Sequence, residues 1–462
     1  MQRYDAIIIG FGKAGKTLAA DLASVGQKVA IIEKSAKMYG GTCINVGCIP
    51  TKSLVKSSKQ AELLHPLNFA EKAEIYSNAI AEKTVLTTML RQKNFDKLNN
   101  QENITIYTGI GRFTSANSVE VQTATATQQL TSDKIFINTG STPVIPPISG
   151  IKNNPHVFFS ETLLDLAELP KRLTIIGGGY IGLEFASFFS SFGSQVTVLQ
   201  DGATFIPRED ADIAMAIKKV LEDKRIKFIT GAKITSIENS ANTARVLYTK
   251  PDGQHELVAE AILVATGRRP NTAELNLAAA GIETTERGAV KTDENLRTNV
   301  AGIWGMGDVV GGLQFTYISL DDYRIVKAQL PELQFAKQFN HHTTKTRANI
   351  PYSVFLDPPF SRIGLNEKEA LEQGYSVKIA KMPVAAIPKA QILKETNGVL
   401  KAIIDEKTDK ILGMMLFCAE SHEIINIVKV VMDANLPYTY LKDQIFTHPT
   451  MSESLNDLLS QL

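Results

Sequence analysis

The sequence predicts an α/β chain in which two βαβ units, each opening on a glycine-rich turn, are followed by an α+β domain. Three observations carry this. A short apolar strand, a glycine-rich turn, a helix-like stretch and a second strand occur twice in that order. Each occurrence is echoed downstream by an apolar run that ends in Thr-Gly. Beyond residue 346 the glycine-rich pattern stops, and segments with strand and helix periodicity take over.

In chain order, the first unit runs from the apolar strand 6–9 through Gly10-Phe11-Gly12-Lys13-Ala14-Gly15 and a helix to residue 24, into a strand at 28–33. The second repeats it with a strand at 173–176, Gly177-Gly178-Gly179-Tyr180-Ile181-Gly182, a helix to residue 191 and a strand at 195–200. Gly10, Gly12, Gly15 and Glu33 correspond to Gly177, Gly179, Gly182 and Gln200 at one constant offset, which makes two Rossmann-like dinucleotide-binding units. The echoes are Ile135 to Gly140, with Thr139 at its end, and Ile262 to Gly267. The proline-rich run 143–147 reads as a crossing between domains, and the polar stretch 340–349 as a second boundary. In the last part, residues 399–404 alternate like a strand, and Ile424, Ile425, Ile427, Val428, Val431 and Met432 recur at helical spacing.

Composition narrows the function. With 462 residues, 44% hydrophobic and 21% charged, the chain has material for several cores. A balance of 49 basic and 48 acidic side chains gives a net charge of +1 and no basic footprint for nucleic acid. No apolar stretch reaches the roughly 18 residues a membrane helix needs, and the start of the chain lacks a signal h-region. Three cysteines in so long a chain do not make a secreted disulfide framework, so the expected compartment is the reducing cytoplasm.

The glycine turns bring a helix N-terminus up to phosphate: the first glycine makes the turn, the second admits the pyrophosphate, and the third lets helix pack on strand. Glu33 ends the first unit where a ribose hydroxyl is bound. Its counterpart is Gln200, with no arginine before Arg208 to meet a 2′-phosphate, so NADH is favoured over NADPH. The segment 40–52, Gly-Gly-Thr-Cys-Ile-Asn-Val-Gly-Cys-Ile-Pro-Thr-Lys, holds two thiols five positions apart. On a regular helix such residues face roughly 140° from each other, so Cys43 and Cys48 meet only if the first turn is irregular, and Gly47 and Pro50 supply the irregularity. A thiolate at a helix start is stabilised by unpaired N–H groups and becomes a nucleophile or metal ligand. Cys418 sits in an apolar run and reads as structural, as do Met414 and Met415 in the core and His341 and His342 in the polar linker.

The segment around Cys43 and Cys48 resembles the active-site signature of the pyridine nucleotide-disulfide oxidoreductases, and the resemblance covers essentially the whole chain. Gly305-Met306-Gly307-Asp308 is similar to the family's second flavin motif, and His448-Pro449-Thr450-Met451-Ser452-Glu453 to its C-terminal motif. The resemblance implies a glutathione reductase-like fold: an FAD-binding domain from 1–148 and 271–345, an NAD(P)-binding domain at 149–270 and an α+β dimerisation domain at 346–462. It implies FAD contacts at Gly10, Gly12, Gly15, Glu33, Gly41, Thr42, Lys52, Thr139, Gly140 and Asp308. Nucleotide contacts follow at Gly177, Gly179, Tyr180, Ile181, Gly182, Gln200 and Gly267. In the family scheme Cys48 lies beside the flavin, Cys43 attacks substrate, and Lys52 with Glu184 forms an ion pair near the flavin's reactive edge. His448, oriented by Glu453, is the acid/base and comes from the partner subunit, which implies a homodimer.

Within the family, the stretch 311–324, with Tyr323 where many relatives have glycine, departs from the usual small-residue helix, which speaks against a glutathione or lipoamide pocket. That stretch, with residues 10–17, 384–388 and 443–449, resembles a bacterial branch of reactive-chlorine-resistance flavoproteins. The branch implies reduction of Cu(II), with Cys43 and Cys48 as transient copper ligands; soft thiolates favour Cu(I). The alternative is a reductase of a small disulfide, such as a dihydrolipoamide dehydrogenase-like enzyme. A third reading is a flavin-bearing redox sensor with little turnover.

Overall fold

The computed structural model describes residues 1–64, 67–333 and 342–462. The first βαβ unit forms the middle of an eight-stranded sheet. Its parallel half places Ile104–Ser115, Val29–Glu33, Ala6–Ile9, Ile135–Ile137 and Ile303–Gly305 side by side. Strand Ala6–Ile9 is buried on both faces, which is why it reads as an unbroken apolar run. Past Thr108, the long strand Ile104–Ser115 leaves the parallel sheet and pairs antiparallel with Ser118–Thr123, then Thr127–Thr131. The last parallel strand, Ile303–Gly305, comes from beyond the second unit, so one sheet gathers residues from two distant parts of the chain.

The second unit builds a five-stranded parallel sheet in the order Lys227–Ile229, Gln195–Leu199, Arg172–Ile176, Ala261–Val264, Val157–Phe159. Helix Tyr180–Ser191 packs on it with Phe185, Phe188 and Phe189 in one buried cluster. Both observed strands of the second unit differ from expectation by one residue: the first opens at Arg172, and the last ends at Leu199, leaving Gln200 just outside the ladder. Of the proline-rich crossing at 143–147 only Pro143 lies in a strand, the antiparallel ribbon of Ser141–Pro143 against Arg268–Pro270; 144–147 is irregular.

The C-terminal part is a five-stranded antiparallel sheet in the order Tyr352–Val354, Phe360–Gly364, Ile411–Phe417, Val399–Asp405, Val377–Pro383. Helix Ser421–Asp433 covers it, and Ile424, Ile425, Val428 and Val431 face inward as their spacing predicts. The alternation expected at 399–404 is not the observed pattern, because every residue of Val399–Asp405 is buried. Lys401 is the residue that looks polar in sequence. It is 2% exposed and gives its ammonium to Asp210, Asp212 and Glu367 at 2.9, 3.3 and 2.7 Å, a pairing that lets a charge sit inside the protein. Among the described residues no helix is long and apolar enough to cross a membrane.

Candidate active site

At the first glycine turn, Gly10 has φ +107°, and a Cβ there would lie 2.2 Å from the carbonyl of Asn138. A Cβ on Gly12 would lie 2.4 Å from the Asn138 side-chain oxygen, so the turn admits nothing larger than glycine. Asn138 is the part of this site that sequence reading misses. Its Oδ1 accepts the Gly15 N–H at 3.0 Å and its Nδ2 donates to the Met306 carbonyl at 2.7 Å, which ties the first turn to the segment 305–308. The only signal was its place at the end of an apolar strand, one residue before Thr139.

These elements surround a cavity of about 1360 Å³. Gly10, Gly12, Glu33, Gly41, Thr42, Thr139, Gly140 and Asp308 line one part of it, and Cys43, Cys48, Lys52, Glu184, Tyr180 and Ile181 another. Glu33 accepts the Phe11 N–H at 3.0 Å through one oxygen and the Ser35 N–H at 3.3 Å through the other, and burial pushes its carboxyl up to about 6. Asp308 accepts the Ser141 hydroxyl at 2.7 Å, and burial likewise raises its carboxyl above the usual range. Two carboxylates with spare lone pairs suit the hydroxyls of FAD, and the glycine cradle at a helix start suits its pyrophosphate.

The glycines of the second turn lie outside this cavity, although Tyr180 and Ile181 between them line it. Gly177 has φ +113° with the Ala265 carbonyl 2.5 Å from where a Cβ would be, and Gly182 is packed against Gly177, as the strand–turn–helix geometry requires. Gly179 and Gly267 face open space, so backbone there is accessible to a second dinucleotide. Gln200 reaches over Gly178, its Nε2 donating to the carbonyls of Gly202 at 3.1 Å and Thr204 at 2.6 Å.

The dithiol segment is broken as its spacing demands. Cys43 belongs to the short helix Thr42–Asn45, Cys48 is the first residue of helix Cys48–Leu63, and Gly47 between them turns the chain with φ −131° and ψ −114°. Asn45 secures the loop: it donates to the carbonyls of Tyr39 and Gly41 at 3.0 and 2.9 Å and accepts Arg91 at 2.9 Å. Both thiols are free. Hydrogen bonding from Cys43 is the largest influence holding Cys48 down to about 6, against the cost of burial; the Thr316 hydroxyl at 3.6 Å and the Lys52 charge act in the same direction. The same bond, with burial, pushes Cys43 well above the ordinary thiol range. The thiolate charge of the pair is therefore favoured at Cys48.

Lys52, one turn along the helix from Cys48, holds both oxygens of Glu184 at 2.8 and 3.0 Å. Glu184 also accepts the Phe355 N–H at 2.8 Å, and the Lys52 ammonium lies 4.6 Å from the centre of the Phe355 ring. The pair thus joins the thiol-bearing helix to helix Tyr180–Ser191 and to the C-terminal sheet. His448 and Glu453 meet each other, Nδ1 to carboxylate at 2.9 Å, and that bond keeps Glu453 below the usual carboxylate range. With Nδ1–H donating, Nε2 is left as an acceptor. His448 is 71% exposed and forms no part of the cavity that Cys43 lines.

The structural assignments divide. Cys418 is buried, with its thiol pushed up to about 12, and Met414 and Met415 lie in the core. His342 pairs with Asp321 at 3.0 Å, whereas His341 lies outside the described residues. Tyr323 corrects the sequence reading: it is buried, donates to Asp21, and locks helix Thr316–Lys327 onto helix Lys13–Ser24 without reaching the cavity. It says nothing about an acceptor pocket; Gln314, Phe315, Thr316, Tyr317 and Ser319, from the same stretch, line the cavity. Among the described residues no group of three or more His, Cys, Asp or Glu side chains could hold a metal ion.

The family profile described as pyridine nucleotide-disulphide oxidoreductase matches residues 4–322, more than half of the chain. The chain belongs to the pyridine nucleotide-disulphide oxidoreductases. The dimerisation-domain profile of the same family matches residues 350–459. As a member, the chain is an oxidoreductase of a flavoprotein family that works with FAD and NAD(P)H. Among its relatives is the Escherichia coli (strain K12) protein RclA, named as a probable pyridine nucleotide-disulfide oxidoreductase. It is 50% identical over 461 residues, covering 100% of this chain and 99% of RclA. A mercuric reductase of Lysinibacillus sphaericus is 32% identical over 98% of this chain and 81% of that protein. Among solved structures, a Cu(II) complex of the HOCl-induced flavoprotein disulfide reductase RclA from Escherichia coli superposes with a TM-score of 0.93 at 49% identity, covering 100% of both chains.

Proposed function

We propose that the protein is an NADH-dependent, FAD-containing reductase that passes electrons through Cys43 and Cys48 to Cu(II), as part of a defence against reactive chlorine and related oxidants in the cytoplasm. The observation that carries the reading is a thiol pair with one depressed member, held in the same cavity as the glycine cradle and the Lys52–Glu184 pair. The cofactor division follows the sheets: 1–148 with 271–345 hold FAD, 149–270 hold the nicotinamide nucleotide, and 346–462 form the dimer contact. Gly10, Gly12, Glu33 and Asp308 would hold FAD, which would supply the two-electron relay between a nicotinamide and the Cys43–Cys48 pair.

The protein's own residues do the rest. Cys48 carries the thiolate charge, stabilised by Cys43, Thr316 and Lys52. Glu184 fixes Lys52 and so keeps that positive charge at the thiol-bearing helix. Gln200 supports NADH over NADPH: its amide hydrogens are spent on Gly202 and Thr204, so its carbonyl oxygen is the atom left over Gly178, able to accept from ribose hydroxyls and opposed to a 2′-phosphate. Copper is a substrate in this scheme: NADH and two Cu(II) give NAD⁺, a proton and two Cu(I), with the two thiols as transient ligands. Support for copper as acceptor comes from the likeness to RclA, solved as a Cu(II) complex.

A second reading, reduction of a small disulfide, is favoured by the His448–Glu453 pair, an acid/base arrangement suited to protonating a leaving thiolate. The test is NADH oxidation by the purified protein with Cu(II), oxidised glutathione or lipoamide, and Cu(I) measured with a chelator added after the reaction. Cu(I) formation dependent on NADH and on both thiols is expected. Fast turnover with a disulfide alone would move the protein to the second reading, and no steady turnover with any acceptor would leave only a sensor.

A further inference from the structure

The cavity wall at Tyr180 is backed by a carboxylate that electron transfer through the thiols does not use. Glu209 lies just ahead of helix Ala211–Asp223, and its side chain is 0% exposed. Three donors converge on it: the hydroxyls of Tyr180 and Tyr352, both on Oε1, and Arg362 Nη1 at 3.3 Å from Oε2. The two tyrosine rings pack 5.7 Å apart, with their hydroxyl oxygens at 3.3 Å. Arg362 is itself held by Glu369 and by the Arg208 carbonyl at 2.8 Å. Burial, then the Glu209 charge, pushes both tyrosine hydroxyls above the ordinary phenol range, so both stay protonated as donors.

The placement gives this cluster a job. Tyr180 is the first residue of helix Tyr180–Ser191, which carries Glu184 one turn later, so its ring forms cavity wall beside the Lys52–Glu184 pair. Glu209 stands outside the wall, so the Tyr180 hydroxyl is engaged away from the cavity. Swinging the ring inward would break a charge-assisted hydrogen bond and leave a buried carboxylate short of a donor, which is costly.

We propose that Glu209 is a positioning residue: by holding the Tyr180 hydroxyl against Tyr352, it keeps the Tyr180 ring as a fixed wall of the nicotinamide site and prevents it from occupying the place of the nicotinamide. The inference rests on the reading that the nicotinamide enters on the Tyr180 side. It assigns Tyr352 and Arg362, which belong to the C-terminal sheet, a part in nucleotide binding.

The test reads binding without turnover, by titrating the oxidised holoenzyme with NAD⁺ and following the flavin spectrum. Glu209→Gln is expected to weaken NAD⁺ binding by about tenfold, the worth of a charged hydrogen bond, and Tyr352→Phe by a smaller factor. In a Tyr180→Ala background, where there is no ring to misplace, Glu209→Gln is expected to change binding little. Unchanged binding in the single variant would overturn the proposal. So would equal weakening with and without the Tyr180 ring, which would make Glu209 a packing residue only. If Glu209→Gln does not retain flavin, Tyr352→Phe, which leaves the carboxylate paired with Arg362, carries the same comparison. Failure of the wild-type protein to bind NAD⁺ and to be reduced by NADH would overturn the nucleotide reading together with this one; normal wild-type binding with unaffected variants would remove only Glu209.

Discussion

At the scale of the residue, the account turns on two thiols that share one proton. Because Cys48 is held below the ordinary thiol range, the thiolate fraction of the pair grows as pH rises through a value below that range. Alkylation of the reduced protein by iodoacetamide is therefore expected to follow the thiolate charge of the pair, with a rate midpoint below the ordinary thiol range; peptide mapping and a pH–rate profile check it. Cys43→Ser weakens the leading contribution, the Cys43 hydrogen bond, and should move the midpoint to higher pH. A profile that does not move would assign the depression to Lys52 and Thr316. Gln200 makes a second residue-scale prediction. Glu in its place adds a charge that repels a 2′-phosphate, so Gln200→Glu should raise the NADH-to-NADPH ratio of kcat/KM, measured with one acceptor.

At the scale of the element, the site depends on how segments are tied together, and this is where sequence reading stopped short. The glycine turns and the broken helix at Gly47 were legible because each is dictated locally: a tight turn needs glycine, and thiols five apart cannot meet on a regular helix. Asn138 was not legible, because its role appears only when the strand that carries it is laid beside Gly15 and Met306, residues far from it in sequence. The alternation expected at 399–404 failed for the same reason, since the carboxylates that make the burial of Lys401 possible come from two other elements. Tyr323 was legible as unusual but not as to what it touches. Asn138→Ala removes a buried acceptor and a buried donor at once and should cost about 1–3 kcal/mol of stability. Denaturant unfolding of the FAD-loaded protein reads the loss, and FAD release at lower denaturant than in the wild type is expected with it.

At the scale of the whole molecule, His448 is exposed and lines no part of the cavity that holds Cys43. The sequence motif could name the pair but not its distance from the thiols. We propose a homodimer in which each subunit lends its histidine to the other; the match of the dimerisation-domain profile to residues 350–459 supports the dimer. Complementation tests this. Co-expression of Cys48→Ser with His448→Ala should restore disulfide reduction to about a quarter of the wild-type level, because half of the dimers are mixed and each has one complete site. No restoration would place the histidine beside the thiols of its own subunit.

The most direct test of the central claim, that electrons pass through the Cys43–Cys48 pair, is anaerobic titration of the flavin-loaded protein with NADH, comparing wild type with Cys48→Ser. The account predicts that the wild type takes up two electrons with a new long-wavelength absorbance and intact flavin colour, and that Cys48→Ser bleaches directly without that band. A band that survives in Cys48→Ser, or a wild type that bleaches without it, would contradict the assignment of Cys48 as the thiolate beside the flavin.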